Sequence, residues 1–199
     1  MKFQSLMQEL GSPAPDFAVP DPAGRIHRLQ DFAGSQALLV AFICNHCPFV
    51  LHILDAFVQM TADCAPRGLA TVAISSNDVD SHPEDGPQQM AALARGHRFG
   101  FPYLFDEAQS AAKQFGAVCT PDFFLYDRDR RLYYRGQFDS SRPRTEHTMG
   151  RPGAGAHATG ADMRAAIDAL LAGHPAPAEQ RPSMGCSMKW KAGNEPEWG

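Results

Sequence analysis

The sequence predicts an α/β fold: a central mixed sheet with helices on both faces. Three observations lead there. Two continuous apolar runs, Ala37–Ile43 and Leu69–Ser75, have the composition of strands covered on both sides. An amphipathic stretch lies between them, which implies a right-handed crossover. Further on, Asp122–Tyr126 and Arg131–Arg135 flank a tight turn at Asp127–Arg130 and read as a hairpin, so part of the sheet is antiparallel.

The elements follow in order. Gly11–Asp31 is rich in Pro, Gly and Asp and reads as an N-terminal extension with short strands near Phe17–Val19 and Arg25–Leu29. After the first buried strand, Cys44-Asn45-His46-Cys47-Pro48 opens a helix reaching about Cys64. Val50, Leu51, Leu54, Phe57 and Val58 are expected to form its apolar stripe. Pro66 and Gly68 stop it. Ser76–Gln88 reads as a polar loop, Gln89–Arg98 as a helix, Tyr103–Phe105 as a short extended piece and Gln109–Phe115 as a helix. Tyr133 and Tyr134 alternate along their strand and suit sheet packing.

Ser140–Gly160 forms a long loop bearing Arg142, Arg144, His147, Arg151 and His157, read first as solvated charges, although such length also fits function or mobility. Thr159-Gly160-Ala161-Asp162 has the form of a capping box for a helix ending near Ala172, with Gly173 as its stop. A Pro- and Ala-rich linker, His174–Pro182, leads to the tail MGCSMKWKAGNEPEWG. Residues 1–173 thus form the domain, and 174–199 form a linker and tail. The tail is expected to dock on the domain, because Met184, Met188 and Trp190 gain by burial.

The chain of 199 residues is 44% hydrophobic and 20% charged, ordinary for a globular protein that buries a full core. A net charge of −4 argues against nucleic-acid or anionic-membrane partners. The longest apolar run, Ala37–Cys44, is too short to span a bilayer. The N-terminal stretch shows no apolar core of signal-peptide length, from which a cytoplasmic location is expected. Five cysteines, Cys44, Cys47, Cys64, Cys119 and Cys186, make a poor disulfide framework. In a reducing compartment they are expected to be buried, metal-bound or redox-active.

Cys-x-x-Cys alone fits zinc sites as readily as redox sites. Its context here is a buried strand turning into an amphipathic helix. That turn is expected to put Cys44 at or just before the helix N-terminus, with Cys47 one turn inside. Unpaired N–H groups there favour a thiolate, the attacking species in disulfide exchange. Cys44 is therefore expected to attack and Cys47 to resolve. A protonated His46 between them would favour the thiolate and make the couple more oxidising.

The segment AFICNHCPFV resembles the active site of thioredoxin-like proteins, with Asn45 and His46 as the modulating residues between the cysteines. Thr120-Pro121, ahead of the strand at Phe123–Tyr126, is similar to that superfamily's cis-proline loop. The resemblance implies a thioredoxin-like fold, no cofactor, and a loop that faces the Cys pair and receives substrate. The opening GSPAPDFAVPDPAGRIHRLQDFAG resembles peroxiredoxin and redoxin (AhpC/TSA) domains, and the terminal GCSMKWK a peroxiredoxin-like branch carrying N-C-x-x-C-P. A peroxiredoxin site requires Pro-x-x-x-Thr/Ser-x-x-Cys. Counting back from Cys47 puts Cys44 and Val40 in the Thr and Pro places. The buried carboxylate of many thioredoxins is replaced by Leu38, leaving water or Glu107 as proton acceptors.

Three functions compete. The first is a thiol–disulfide oxidoreductase acting on protein or small-molecule disulfides and thiols, as monomer or homodimer. The second is a peroxiredoxin-like thiol peroxidase. The third, of another class, is a zinc- or copper-binding domain or metallochaperone using Cys44, His46, Cys47 and His52; the preferred reading assigns no metal. Cys64 and Cys119 read as packing. Cys186 is a candidate third redox thiol, with Lys189 and Lys191 nearby to favour its thiolate and an expected link to Cys44.

Overall fold

The computed structural model describes residues 2–146 and 148–198. Its centre is a five-stranded sheet. The strands are β4 (Ala37–Phe42), β5 (Leu69–Ser75), β6 (Tyr103–Phe105), β8 (Asp122–Tyr126) and β9 (Leu132–Arg135), ordered β6-β5-β4-β8-β9. β4 runs parallel to β5 and antiparallel to β8, so the sheet is mixed. All six residues of β4 are 0% exposed, which explains its unbroken apolar run.

Side chains alternate across the pleat into two cores. Leu39, Ala41 and Ile43 pack with α1 (Pro48–Cys64), α2 (Pro87–Gly96) and α4 (Ala161–Leu171). Leu38, Val40 and Phe42 pack with α3 (Ser110–Phe115), with Phe17 and Val19 of the N-terminal arm, and with Met188. The arm holds a small antiparallel pair, β2 (Ala18–Pro20) and β3 (Ile26–Arg28).

Several expectations shift. The buried stripe of α1 is Phe49, Val50, Ile53, Leu54, Phe57, Met60, Thr61 and Cys64; Leu51 is 47% exposed and Val58 only half-buried. The stripe follows the true helical period, which carries Leu51 off the buried face. α2 starts at Pro87, two residues before the expected start, because proline suits the first helical turn. The expected capping box at Thr159 is not formed. Gly160 holds the cap position with a φ of 70°, and the Asp139 carboxylate accepts the Thr159 and Gly160 N–H groups at 2.6 and 2.7 Å. The long loop is internally bonded: Arg142 is tied to the Asp139 and Ser141 carbonyls. Arg144, Arg151 and His157 are exposed, and His147 lies outside the described residues.

The sequence pattern gives no hint of a second, three-stranded sheet of order β1-β10-β7, comprising β1 (Lys2–Gln4), β10 (Met184–Ser187) and β7 (Cys119–Thr120). Through it the tail pairs with the strand that leads into Pro121.

Candidate active site

The site forms where β4 ends and α1 begins. Asp85, on a short turn before α2 and 0% exposed, organises the connecting loop. Its Oδ1 accepts the Asn45 N–H at 2.7 Å, and its Oδ2 lies 2.8 Å from His46 Nδ1 and accepts the Asn77 amide at 2.7 Å. Asn45 is gripped further, donating to the Glu84 carbonyl at 2.8 Å and accepting from the Tyr103 hydroxyl at 3.0 Å. His46 stacks on His82 with centroids 5.0 Å apart. Burial alone would raise the Asp85 pKa, but His46 and Asn77 outweigh it and hold the carboxyl below its usual range. The bond to Asp85 in turn raises His46, against the opposing effect of burial.

All five cysteines are free thiols. Cys44 is 1% exposed and Cys47 0%. Cys47 holds the N-cap position and Pro48 is the first residue of α1, so the helix end falls at Cys47, three residues later than the expected placement of Cys44. The Thr120-Pro121 bond is cis, and its loop covers both sulfurs. Cys44 Sγ lies 3.3 Å from Thr120 Oγ1, and Cys47 Sγ lies 3.1 Å from the Thr120 carbonyl oxygen. The two thiols are driven apart electrostatically. Cys44 is pushed up, chiefly by its hydrogen bond to Cys47, then by burial and the Asp85 charge. Burial also opposes a charge on Cys47, but thiol bonds from Cys186 and Cys44, with the Val50 and Cys186 N–H groups, hold it well below the usual thiol range.

The tail completes the wall. Cys186 pairs across the strands with Thr120, and Ser187 with Cys119. A Cβ on Gly185 would lie 1.9 Å from the Thr120 carbonyl oxygen, so only glycine allows this approach. Met188 is buried, and Met184 and Trp190 pack against the two cores. Lys189 favours the Cys186 thiolate, but the bond to Cys47 and burial prevail and push the Cys186 thiol far up.

The structure therefore brings Cys44, Asn45, His46, Cys47, Thr120, Pro121 and Cys186 together. It leaves out His52, which bonds Ser141 at 3.0 Å. Among the described residues, the group with metal-ligand spacing is Cys44, His46 and Asp85, with ligand atoms within 4.8 Å of one another. Three donors already occupy the Asp85 carboxylate. Glu107 is exposed and lines a surface pocket with Lys191. Cys119 and Cys64 are buried, their pKa values raised by burial, as suits packing. Sequence reasoning missed Asp85, Asn77 and Tyr103, because each serves the site from another element. Asp122, next to the cis bond and fully buried, is a carboxyl that burial pushes well up against the Val118 N–H that it accepts.

A dithiol at a strand-to-helix turn, faced by a cis-proline loop and set in a mixed sheet with helices on both sides, defines the thioredoxin-like class. Within it, the AhpC/TSA family pattern matches residues 10–135, and the chain belongs to the AhpC/TSA family. A hypothetical protein from Sinorhizobium meliloti 1021 is 50% identical with a TM-score of 0.89, over 96% of this chain and 99% of that one. The thiol-disulfide oxidoreductase ResA of Bacillus thuringiensis subsp. konkukian is 23% identical over 126 residues, covering 62% of this chain and 67% of that one. The thioredoxin domain of a thiol-disulfide oxidoreductase from Bacteroides vulgatus shares the fold, with a TM-score of 0.54 and 16% identity over 64% of this chain and 88% of that one.

Proposed function

We propose that the chain is a thiol–disulfide oxidoreductase working through a Cys44/Cys47 dithiol–disulfide couple. The observation that carries this reading is the placement of Cys44 and Cys47 where β4 turns into α1, with both sulfurs in contact with Thr120 of the cis-proline loop. A sulfur whose charge is stabilised by neighbouring donors attacks a disulfide readily and leaves one readily. The external disulfide exchanges with the dithiol through a mixed disulfide, and the second protein sulfur to attack closes the Cys44–Cys47 ring. The proton released in closing the ring goes to the departing substrate thiolate. The net reaction turns one external disulfide and the Cys44/Cys47 dithiol into two external thiols and the Cys44–Cys47 disulfide, and it is reversible. Substrates are protein or small-molecule disulfides and thiols.

The test is disulfide reduction of insulin by the wild type and by Cys44→Ser and Cys47→Ser. Both variants should lose turnover, and the one that keeps the attacking sulfur should stall in a disulfide. Wild-type turnover in both variants refutes the reading. Membership of the AhpC/TSA family favours a second reading, thiol peroxidase activity. Peroxide consumption with a dithiol donor tests it directly.

A further inference from the structure

We propose that Cys186 is the substrate-facing thiol of this site, exchanging its disulfide with Cys47. The chain would then carry its disulfide between a buried Cys44–Cys47 position and a half-exposed Cys47–Cys186 position. This rests on the proposed use of Cys44 and Cys47.

The first argument is access. Exchange requires an incoming sulfur to meet a protein sulfur in line. Cys44 and Cys47 are 1% and 0% exposed, whereas Cys186 is only partly covered. The second is placement. Cys186 sits directly across from Thr120, the residue whose hydroxyl and carbonyl touch the other two sulfurs. β10 packs on α1, whose N-cap is Cys47, and Cys186 packs against the same core cluster, which sets it at the Cys47 end of the pair. The third is that this approach is built in. Gly185 admits the strand against the Thr120 carbonyl. The tail is pinned on both sides of Cys186, by Ser183 Oγ donating to the Pro121 carbonyl at 2.7 Å and by Met188 N–H donating to the Val118 carbonyl at 2.9 Å. A thiol held by its own strand on the cis-proline edge keeps a sulfur where an outside disulfide would otherwise have to enter.

The steps balance as follows. In the oxidised chain the Cys186 thiolate attacks Cys47 Sγ. The Cys47–Cys186 bond forms, the Cys44–Cys47 bond breaks, and Cys44 takes up the proton that Cys186 gave up. An external thiolate then attacks Cys186 Sγ, and Cys47 leaves as the thiolate its donors stabilise. A second external thiolate attacks the external sulfur of the mixed disulfide, releasing an external disulfide and the Cys186 thiolate, which is protonated. Two external thiols are oxidised and one protein disulfide is reduced. Once Cys47 is in a disulfide its negative charge is gone, and Lys189 acts on Cys186 unopposed by it.

The test uses peptide mapping and kinetics. Wild-type oxidised protein given limiting reduced glutathione and quenched with acid should carry glutathione on Cys186; glutathione on Cys44 or Cys47 instead overturns the proposal. Oxidised Cys44→Ser should contain a Cys47–Cys186 link, and its absence overturns the proposal. Oxidised Cys186→Ser should be reduced by glutathione about tenfold or more slowly than the wild type, in line with loss of the accessible sulfur, and a wild-type rate overturns the proposal. If Cys44→Ser and Cys47→Ser keep full insulin reduction, the Cys44/Cys47 reading itself has failed. If they lose it while Cys186 maps unlinked, only the role of Cys186 has failed.

Discussion

Replacing Asp85 by asparagine keeps the shape of the side chain and removes what the site uses. The carboxylate accepts on both oxygens, from Asn45 on one and from His46 and Asn77 on the other. An amide offers one acceptor oxygen and one donor group. If its oxygen stays with Asn45, the new NH2 meets the Asn77 NH2. Asn77 cannot flip without cost, because its Oδ1 accepts the Lys189 N–H at 2.9 Å. If the oxygen turns to His46 and Asn77, the NH2 meets the Asn45 N–H. Either way one buried donor is left facing a donor, and the charge-assisted bonds weaken. Together these cost about 2–4 kcal/mol. For a chain of this size the melting temperature should fall by roughly 5–15 °C. His46 loses its main reason for a raised pKa, so its titration in proton–nitrogen spectra should move to lower pH. An Asp85→Asn variant with an unchanged melting temperature and an unchanged His46 titration would refute the reasoning.

Other perturbations have defined outcomes. His46→Ala removes a cation coupled to Cys47, so the couple should become more reducing by about 30 mV or more, a tenfold change in glutathione equilibrium, and by less as pH rises through the raised His46 value. In the wild type, the Asp85 contribution to stability is present above about pH 4 and is lost as pH falls through its depressed folded value; the His46 contribution is present below about pH 6.5 and is lost as pH rises through its raised folded value. Melting temperature should therefore peak between those limits, and the peak should flatten in Asp85→Asn. Gly185→Ala should drive β10 off the Thr120 carbonyl, raising Trp190 solvent exposure in fluorescence quenching and tail cleavage by protease. Unchanged quenching and cleavage would show that the strand tolerates a Cβ there.

The parts of this fold legible in the sequence are those set by short-range pattern. β4 and β5 appear as apolar runs because both faces of each are covered. The Cys44–Cys47 turn appears because a Cys-x-x-Cys spacing and a strand-to-helix junction are both local. Asp85 was not legible: in the sequence it is one acid in a polar loop, His82-Pro83-Glu84-Asp85-Gly86, and only the fold brings it to Asn45 and His46. Strands β1, β7 and β10 were invisible for a related reason. They are two to four residues long, too short for alternation to register, and their pairing joins the two ends of the chain. The docking of the tail could be anticipated from Met188 and Trp190, but its register against Thr120 could not.

That register ties the dithiol to the chain terminus through one bonded path. Asp85 holds His46 and Asn45 next to the cysteines, Asn77 bridges Asp85 to the Lys189 backbone, and the Lys189 carbonyl accepts from Asp78 and Gln109. Gln109 then takes the Lys191 N–H at 2.9 Å. A change in the charge of the sulfurs acts on His46 and Asp85, and so on the donor that fixes the tail. Conversely, lifting the tail frees Asn77 to turn, which weakens the hold on Asp85 and relaxes the loop carrying Asn45 and His46. Buried polar networks of this kind gain rigidity only while every member is satisfied. This path predicts that tail exposure, read by quenching of Trp190, differs between the reduced and the oxidised chain; equal quenching would show that the tail docks independently of the sulfurs.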